Sequence, residues 1–507
     1  MIHYIVAVLY AAISAFAMAY MTFYWQMGPW CAPIFVVVGL LFFMIVSKKQ
    51  LLVQSSMAIL IIGSMGSIGG LALGSTLPAF YLLHVKAFDY WLYHPYIFIS
   101  AVAAVVALCA GVAVAILYVL QAKVLHKHTL TYPISQFVYD VLYTDRHRNR
   151  KKLVLKGLSM AVLWELCMTW IRPFISLIIL PMQAAPFMIT IGAIIGAAGV
   201  VPIMWGMFLQ GVALWVATYI LKTKFSYQAV VLTVAVGMFL AWLLYEKIQL
   251  MLYVMQRLHN KYQKFGMSKM GKEIIILASI VLVSSLIIVL QSFWIWLTVL
   301  IVLFLSYVCS RMVGEIGIVD LQSFALVVVF PLLCFAQFSQ FFLLTIAASS
   351  FLILGFVVDL LFSAKVSQLH GFKYYEIIKY QILGVFVAAI SSAFAVWFCM
   401  FKMGMHDNDM VYANAAQLSH FMENNTYDMS ILLFGVVLGF IVKTFRLDLL
   451  CIAGAVTLSP VMGALLIGSG LATKYIKEPE SQYPTLFGFY AGYATVLLVL
   501  GVVSIFI

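Results

Sequence analysis

Residues 53–74 read Val-Gln-Ser-Ser-Met-Ala-Ile-Leu-Ile-Ile-Gly-Ser-Met-Gly-Ser-Ile-Gly-Gly-Leu-Ala-Leu-Gly. As a helix this run is long enough to cross a hydrocarbon core of roughly 30 Å, and it contains no charged residue. Within it, Gly66, Gly70 and Gly74 lie four apart and form one smooth stripe along the helix. Two interpretations fit the stripe: close helix–helix packing, or the lining of a substrate path.

Comparable apolar blocks fill the rest of the 507 residues, of which 65% are hydrophobic and 9% charged. A soluble protein cannot bury so large an apolar fraction, so the composition indicates a membrane-embedded chain. The blocks predict about sixteen spanning helices, at 3–25, 31–47, 53–74, 95–121, 153–172, 174–198, 201–221, 228–250, 273–291, 292–313, 322–339, 341–363, 381–401, 429–443, 449–470 and 484–507.

The predicted fold class is an all-α polytopic membrane protein built from two halves of eight helices, residues 1–256 and 257–507. Both halves begin on the same side of the membrane, so a repeat between them would be a parallel one. Two spans are predicted to be broken or re-entrant. The sixth contains Pro181 and Pro186, and the fifteenth contains Pro460 and Gly463. Such breaks are typical of transporter sites, although a kink that only serves packing fits equally well.

The distribution of basic residues predicts the orientation. With the N-terminus in the cytoplasm, 22 of the 29 lysines and arginines fall on the cytoplasmic side. The net charge of +12 is therefore a topology signal, with a secondary contribution from contact with anionic lipids, and it does not indicate a nucleic-acid partner. We expect a multi-pass protein of the cell (inner) membrane with both termini in the cytoplasm. The first span has no basic residue before it and is predicted to be retained rather than cleaved as a signal peptide.

Ionisable residues inside a bilayer are functional candidates because burying their charge is costly. Glu165 lies deepest in its span, with Thr169 and Arg172 on the same helical face. One interpretation is a proton carrier, and the other is a structural interaction between Glu165 and Arg172. The first predicts that Glu165→Gln abolishes proton-coupled uptake.

Further polar candidates occur elsewhere in the spans. Glu315 and Asp320 flank a turn marked by Gly314 and Gly317, where they are suited to bind a cation or to accept hydrogen bonds from backbone N–H groups. Asp359 is predicted near the inner end of its span, either in a local polar cluster or on the path. Three glutamines in or between apolar runs are able to contact peptide bonds or chelates: Gln183, Gln210 and Gln337.

Enzymatic signatures are missing from the sequence, which has no Walker-type phosphate loop, no nucleophile–base motif and no metal-ligand run. We therefore expect a non-enzyme that has neither a cofactor nor a bound metal. The seven cysteines stand singly and are predicted to act as small buried hydrophobes. In the last span, the pair Gly488 and Gly492 fits either internal packing or the face of a homo-oligomer.

The most basic loop contains an amphipathic segment at 131–142. Its apolar residues recur at helical spacing beside the cluster Arg146 to Lys152. This pattern predicts a helix that lies on the cytoplasmic headgroups.

Four stretches resemble the oligopeptide transporter (OPT) family, which includes the yellow-stripe-like metal-chelate transporters. They cover much of the chain in the family's order and consist of a glutamine and glycine-rich helix with a Pro-Ala-aromatic-Leu exit (54–83), an "L-P-[FY]-P … E-V-L"-like loop (130–142), a "G-E-x-G-I-N-P"-like turn (314–320) and a "D-x-K-x-G … Q-x-x-G"-like stretch (359–384).

The resemblance implies a secondary active transporter that imports small oligopeptides or peptide-like metal chelates and is driven by protons. A membrane channel or a non-transporting membrane scaffold is the alternative from a different class. The implied partners are the substrate, protons and the lipid bilayer.

Overall fold

The computed structural model describes residues 2–24, 53–83, 86–124, 130–143, 150–171, 185–221, 227–262, 293–335, 338–372, 374–402, 415–416, 418–419, 429–476 and 479–506. Over these residues the chain is almost entirely helical and contains no strand.

Seventeen helices are named here in chain order. Up to residue 262 they are α1 (Ile2–Tyr24), α2 (Val53–Leu82), α3 (Lys86–Tyr93), α4 (Pro95–Val124), α5 (Pro133–Tyr143), α6 (Arg150–Ile171), α7 (Ala185–Gly199), α8 (Val201–Trp215, continued by a π-helical turn to Ile220) and α9 (Tyr227–Tyr262). From residue 293 onward they are α10 (Phe293–Glu315), α11 (Leu321–Phe335), α12 (Gln340–Leu369), α13 (Tyr374–Lys402), α14 (Met429–Thr444), α15 (Leu449–Val456), α16 (Pro460–Ala472) and α17 (Tyr483–Phe506).

The helices bear out the coarse prediction of an all-α membrane protein. Eight described helices are long and apolar enough to cross a membrane, and four shorter ones are also apolar. The predicted spans fall on helix where the structure describes them; 31–47, 273–291 and the first part of the sixth span, 174–184, lie outside the described residues. The count of sixteen spans and the orientation of the termini stay predictions.

Several predicted boundaries differ from the structure, among them the end of α9, which continues to Tyr262, past residue 250 and past the predicted boundary between the halves. Helix α2 continues across Pro78 to Leu82, and α12 continues to Leu369 rather than ending at residue 363. The fifteenth span is broken, as predicted: it consists of two helices, α15 and α16, because the backbone leaves the helical path between Val456 and Pro460.

The helices pack in two groups. In the first, α2 lies at the centre and contacts α1, α12 and α13, while α4 packs on α12 and α13. In the second, α6 packs on α17, α7 on α16, α8 on α15, and α9 on α14. Each group contains helices from both predicted halves, and a repeat relating those halves stays a prediction.

The glycine stripe of α2 lies in the contact with α1. A side chain added at any of the three positions would collide with α1, where alanines also recur every fourth residue. The pairs in contact are Gly66 with Ala11, Gly70 with Ala15, and Gly74 with Ala19 and Thr22. The structure thus shows the contacts expected of the packing interpretation. Similarly, Gly488 and Gly492 face α6, the arrangement expected for internal packing.

Candidate functional site

The break between α15 and α16 exposes backbone groups in the interior of an apolar bundle. Such groups must find partners where water is scarce. The Gln210 side chain of α8 supplies them: its Nε2 donates to the carbonyl oxygens of Val456 at 2.6 Å and Leu458 at 2.9 Å. Gln210 is only 2% exposed. Ser459 then starts α16 by accepting a hydrogen bond from the Met462 amide at 3.4 Å, and Pro460 occupies the first helical turn, where its missing N–H costs nothing.

A second irregular helix packs against α16, beyond this break. In α7, Gly196 has φ 73° and ψ 179°, a conformation essentially restricted to glycine. Gly470 of α16 faces the carbonyl oxygens of Gly192 and Gly196, and Gly192 in turn faces Ser469 of α16. The two spans that the sequence predicts to be irregular therefore meet in space. Arg172 at the end of the fifth predicted span, and Pro181 and Gln183 in the sixth, lie outside the described residues.

An ionic cluster anchors the start of the broken span to α10. Arg311 lies 2.7 Å from the Glu315 carboxylate and 2.7 Å from that of Asp448. Asp448 also caps α15 by accepting from the amides of Leu450 and Cys451. The Cys451 thiol donates to the second oxygen of Glu315 at 3.1 Å. One guanidinium thus holds together two carboxylates from different helices, and the three residues Arg311, Asp448 and Cys451 were not predicted as site residues.

The same cluster offers three ligand atoms of the kind that bind metals. Oxygen or sulfur atoms of Glu315, Asp448 and Cys451 lie within 4.8 Å of one another. In this structure, however, both carboxylates are paired with Arg311, which contributes the positive charge that a metal would otherwise supply. The arrangement is an ion-pair network between α10 and α15.

Two of the four family-like stretches meet at the turn after α10. The Tyr132 amide donates to the Gly314 carbonyl oxygen at 2.8 Å. Gly317 has φ 72°, and a side chain there would press on Pro133 and Ile134. Tyr132 itself has a positive φ of 46° and is 1% exposed, and its burial raises the pKa of the phenol well above the ordinary value.

A third family-like stretch reaches the same place from α12. The Lys365 ammonium lies 5.1 Å from the centre of the Tyr132 ring, within the range of a cation–π contact. The Ser135 hydroxyl is 3.5 Å from the Phe362 carbonyl oxygen, and the rings of Tyr139 and His370 are in edge contact. Burial lowers the pKa of His370, which favours the neutral imidazole.

Helix α5 forms most of the amphipathic segment at 131–142. The prediction that this segment lies on the lipid headgroups is wrong. Its apolar face is buried against protein: Phe137 is in ring contact with Tyr483 and Phe487 of the α17 region, and Ile134 lies against Gly317. Helix α5 contacts α12 of the first group and both α7 and α17 of the second. It therefore bridges the two groups of helices at one end. An amphipathic period cannot distinguish a lipid surface from a protein surface, because both accept an apolar face.

The remaining acidic candidates have separate surroundings. Asp320 caps α11 by accepting hydrogen bonds from the Ser323 hydroxyl at 2.6 Å and from the Ser323 amide at 3.4 Å. Of its two predicted roles, cation binding and acceptance from backbone N–H groups, this is the second. Glu165 is buried on α6, one turn beyond Ala161, which touches Gly492 of α17. Its proton-carrier role stays a prediction. Gln337 lies outside the described residues.

Asp359 is not near the end of its helix as predicted, because α12 continues to Leu369. The side chain is completely buried, and it lies beside Ser64 of α2. On the other flank of α2, Gln381 of α13 is also completely buried.

Protein-family models, curated proteins and solved structures were compared with the chain, and none matches. The assignment of a function therefore depends on the geometry of the site and on the resemblance of the four stretches.

Proposed function

We propose that the protein is a secondary active transporter that imports small oligopeptides or peptide-like metal chelates, coupled to protons. The observation that carries the proposal is the contact between two irregular helices, α7 and the α15–α16 pair, within an apolar bundle. Irregular backbone at membrane depth is tolerated where it lines a cavity or is buried in protein, and transporters use it to bind substrate and ions.

The surroundings of the break support this proposal. Gln210 satisfies the carbonyl oxygens at the end of α15, and the Arg311 cluster holds the beginning of the same helix. Helix α15 is thus fixed at both ends by polar contacts rather than by apolar packing alone. Polar contacts of this kind can be exchanged for contacts with a substrate that carries amide and carboxylate groups.

The substrate class rests on the resemblance to the OPT family. Three of its four stretches converge at the turn after α10, where α5, α10 and α12 meet. This convergence supports the interpretation that the three stretches form one local structure. The choice between peptide and chelate is left to experiment, because amide and carboxylate groups occur in both.

The test is uptake into sealed proteoliposomes containing the purified full-length protein. Labelled di- to pentapeptides and metal chelates would be offered separately, with an inward proton gradient, an inward sodium gradient or neither, beside protein-free liposomes. Accumulation above the external concentration under an inward proton gradient is the expected result. Equilibration without accumulation would indicate a channel, and uptake equal to that of protein-free liposomes would indicate a scaffold.

A further inference from the structure

Asp359 stands apart from the other described acidic residues because neither oxygen of its carboxylate has a hydrogen-bond donor in bonding geometry. The side chain is 0% exposed, and the Ser64 hydroxyl is the described donor within its reach. By contrast, Glu315, Asp320 and Asp448 all accept hydrogen bonds. An ionised carboxylate in such a place would cost several kcal/mol, so the group needs a proton or a cation.

The Ser64 hydroxyl of α2 is the neighbour that limits how this carboxylate is satisfied. It lies beside the Asp359 carboxylate but donates its hydrogen to the Ile61 carbonyl oxygen at 3.0 Å. A hydroxyl has only one hydrogen, so Ser64 serves either the Ile61 carbonyl oxygen or one oxygen of the Asp359 carboxylate, and at least one carboxylate oxygen is left without a donor. Such a carboxylate is satisfied either by a proton of its own or by a cation bound beside the Ser64 oxygen.

Among the described residues, no charged side chain takes the position of a counter-ion beside the Asp359 carboxylate. Helix α2 contains no Asp, Glu, Lys, Arg or His. The charged side chains described on the other elements packed against α12 lie with other groups: Arg311 pairs with Glu315 and Asp448, Asp320 accepts from Ser323, the Lys379 ammonium lies over the Tyr380 ring, and Asp140 lies near Tyr483. On α12 itself, Lys365 bonds Gln368 at 3.1 Å.

A row of hydroxyls leads away from the carboxylate along α12. Ser363 and Ser367 follow Asp359 at four-residue intervals, so the three side chains lie on one face of the helix. Both serines are completely buried, and Ser367 also contacts the Met57 sulfur of α2 at 3.1 Å. On the other flank of α2, neither the amide nitrogen nor the oxygen of Gln381 has a partner among the described residues. The α2–α12 contact thus carries hydroxyls at Ser64 and Ser367, whereas Gly355 of α12 meets the apolar Ile68 side chain of α2.

We infer that Asp359 and Ser64 form the binding site for the coupling cation, either a proton on the carboxylate or a sodium ion held between the two side chains. A carboxylate and a hydroxyl are both hard oxygen ligands, which suit either ion. The coupling role rests on the proposed transport function, whereas cation binding at the site does not.

Binding is tested first, on the purified full-length protein without substrate. Infrared difference spectra between acidic and alkaline pH report the carboxylic acid C=O band, and equilibrium binding of labelled sodium reports the other ion. For a proton site, the wild type shows a protonated carboxyl band at neutral pH that is lost in Asp359→Asn. For a sodium site, saturable binding is lost in Asp359→Asn and weakened about tenfold in Ser64→Ala, as expected for removal of one ligand.

The matched control is Glu480→Gln, which removes an exposed carboxylate and is expected to change neither signal. If Asp359→Asn is not recovered as folded protein, Ser64→Ala and Asp359→Glu provide the same comparison: each is expected to shift the carboxyl band or the sodium affinity. Wild-type signals retained in Asp359→Asn, or in both substitute variants, would overturn the inference.

Coupling is tested second, in proteoliposomes. Asp359→Asn is expected to lose gradient-driven accumulation while retaining exchange of substrate across the membrane. If Asp359→Asn keeps full coupling while Glu165→Gln loses it, the coupling assignment is overturned and the transport function stands. If the wild type does not transport but binds the cation at Asp359, the proposed function fails and the binding site stands.

Discussion

The side-chain amide of Gln210 lies 2.6 Å from the Val456 carbonyl oxygen, where it closes the open end of helix α15. The two residues are 246 positions apart, and one belongs to each predicted half of the chain. A single side chain thus joins α8 to the break in the broken span. This contact makes an irregular backbone compatible with an apolar interior.

Replacing Gln210 with alanine should destabilise the protein, because it leaves two buried carbonyl oxygens without their donor. Loss of these bonds is expected to cost about 1–3 kcal/mol. Thermal unfolding of the purified protein, followed by far-ultraviolet circular dichroism, would measure the change. The control is Gln136→Ala on the exposed face of α5, which should leave the unfolding temperature unchanged. Equal unfolding temperatures for the two variants would argue against the role of Gln210.

Arg311→Met should be more damaging than the loss of either carboxylate that it pairs with. It leaves Glu315 and Asp448 close together with no cation, and breaking such a pair costs about 3 kcal/mol or more. The same unfolding measurement would register this loss. The triple variant that also carries Glu315→Gln and Asp448→Asn removes the repulsion and should recover much of the stability. A triple variant no more stable than Arg311→Met would show that the carboxylates are not the cause.

Gly70→Ala should separate α1 from α2, because the added methyl group would collide with the Ala15 carbonyl group. Overpacking of this kind costs about 1–3 kcal/mol. The matched control is Gly111→Ala in α4, where a methyl group meets nothing within 4 Å. That change should be neutral or stabilise the helix by up to about 1 kcal/mol, since alanine favours helix over glycine. Opposite effects of the two variants on unfolding are the expected result, and equal effects would contradict the packing of the stripe against α1.

Gly317→Ala tests the junction between α5 and the turn after α10. Gly317 and Gly371 both have positive φ, of 72° and 82°, so alanine at either position costs about 1–2 kcal/mol in the backbone. Only at Gly317 would the added methyl group press on neighbouring side chains, those of Pro133 and Ile134. Gly317→Ala should therefore lower the unfolding temperature more than Gly371→Ala does. Protease sensitivity of the 125–149 region would serve as a second readout, and a rise confined to Gly317→Ala is expected.

The sequence was sufficient to predict where most of the long described helices lie and the position of the break before Pro460. Length and hydrophobicity predict a span, and Pro460 predicts where a helix cannot continue because it lacks an N–H group. Both are properties of neighbouring residues, which a single sequence displays directly. The C-terminal ends of α2 and α12 could not be predicted in this way, because both helices continue beyond the apolar blocks, where tertiary contacts stabilise them.

Contacts between distant residues could not be predicted in this way. Arg311 and Asp448 are 137 positions apart, and nothing in either local sequence indicates the other. One signal was present for Asp448, an acidic residue directly before an apolar run, which is typical of a helix N-cap. The burial of α5 was missed for a related reason, because its periodicity shows an apolar face without showing what covers that face.

The transport proposal is tested most directly by the ratio of internal to external substrate in sealed proteoliposomes under an inward proton gradient. We predict a ratio above one for at least one small peptide or metal chelate, falling to one when a protonophore collapses the gradient. A ratio that never exceeds one for any of these substrates, with folded protein present in the liposomes and under either a proton or a sodium gradient, would contradict the proposed function.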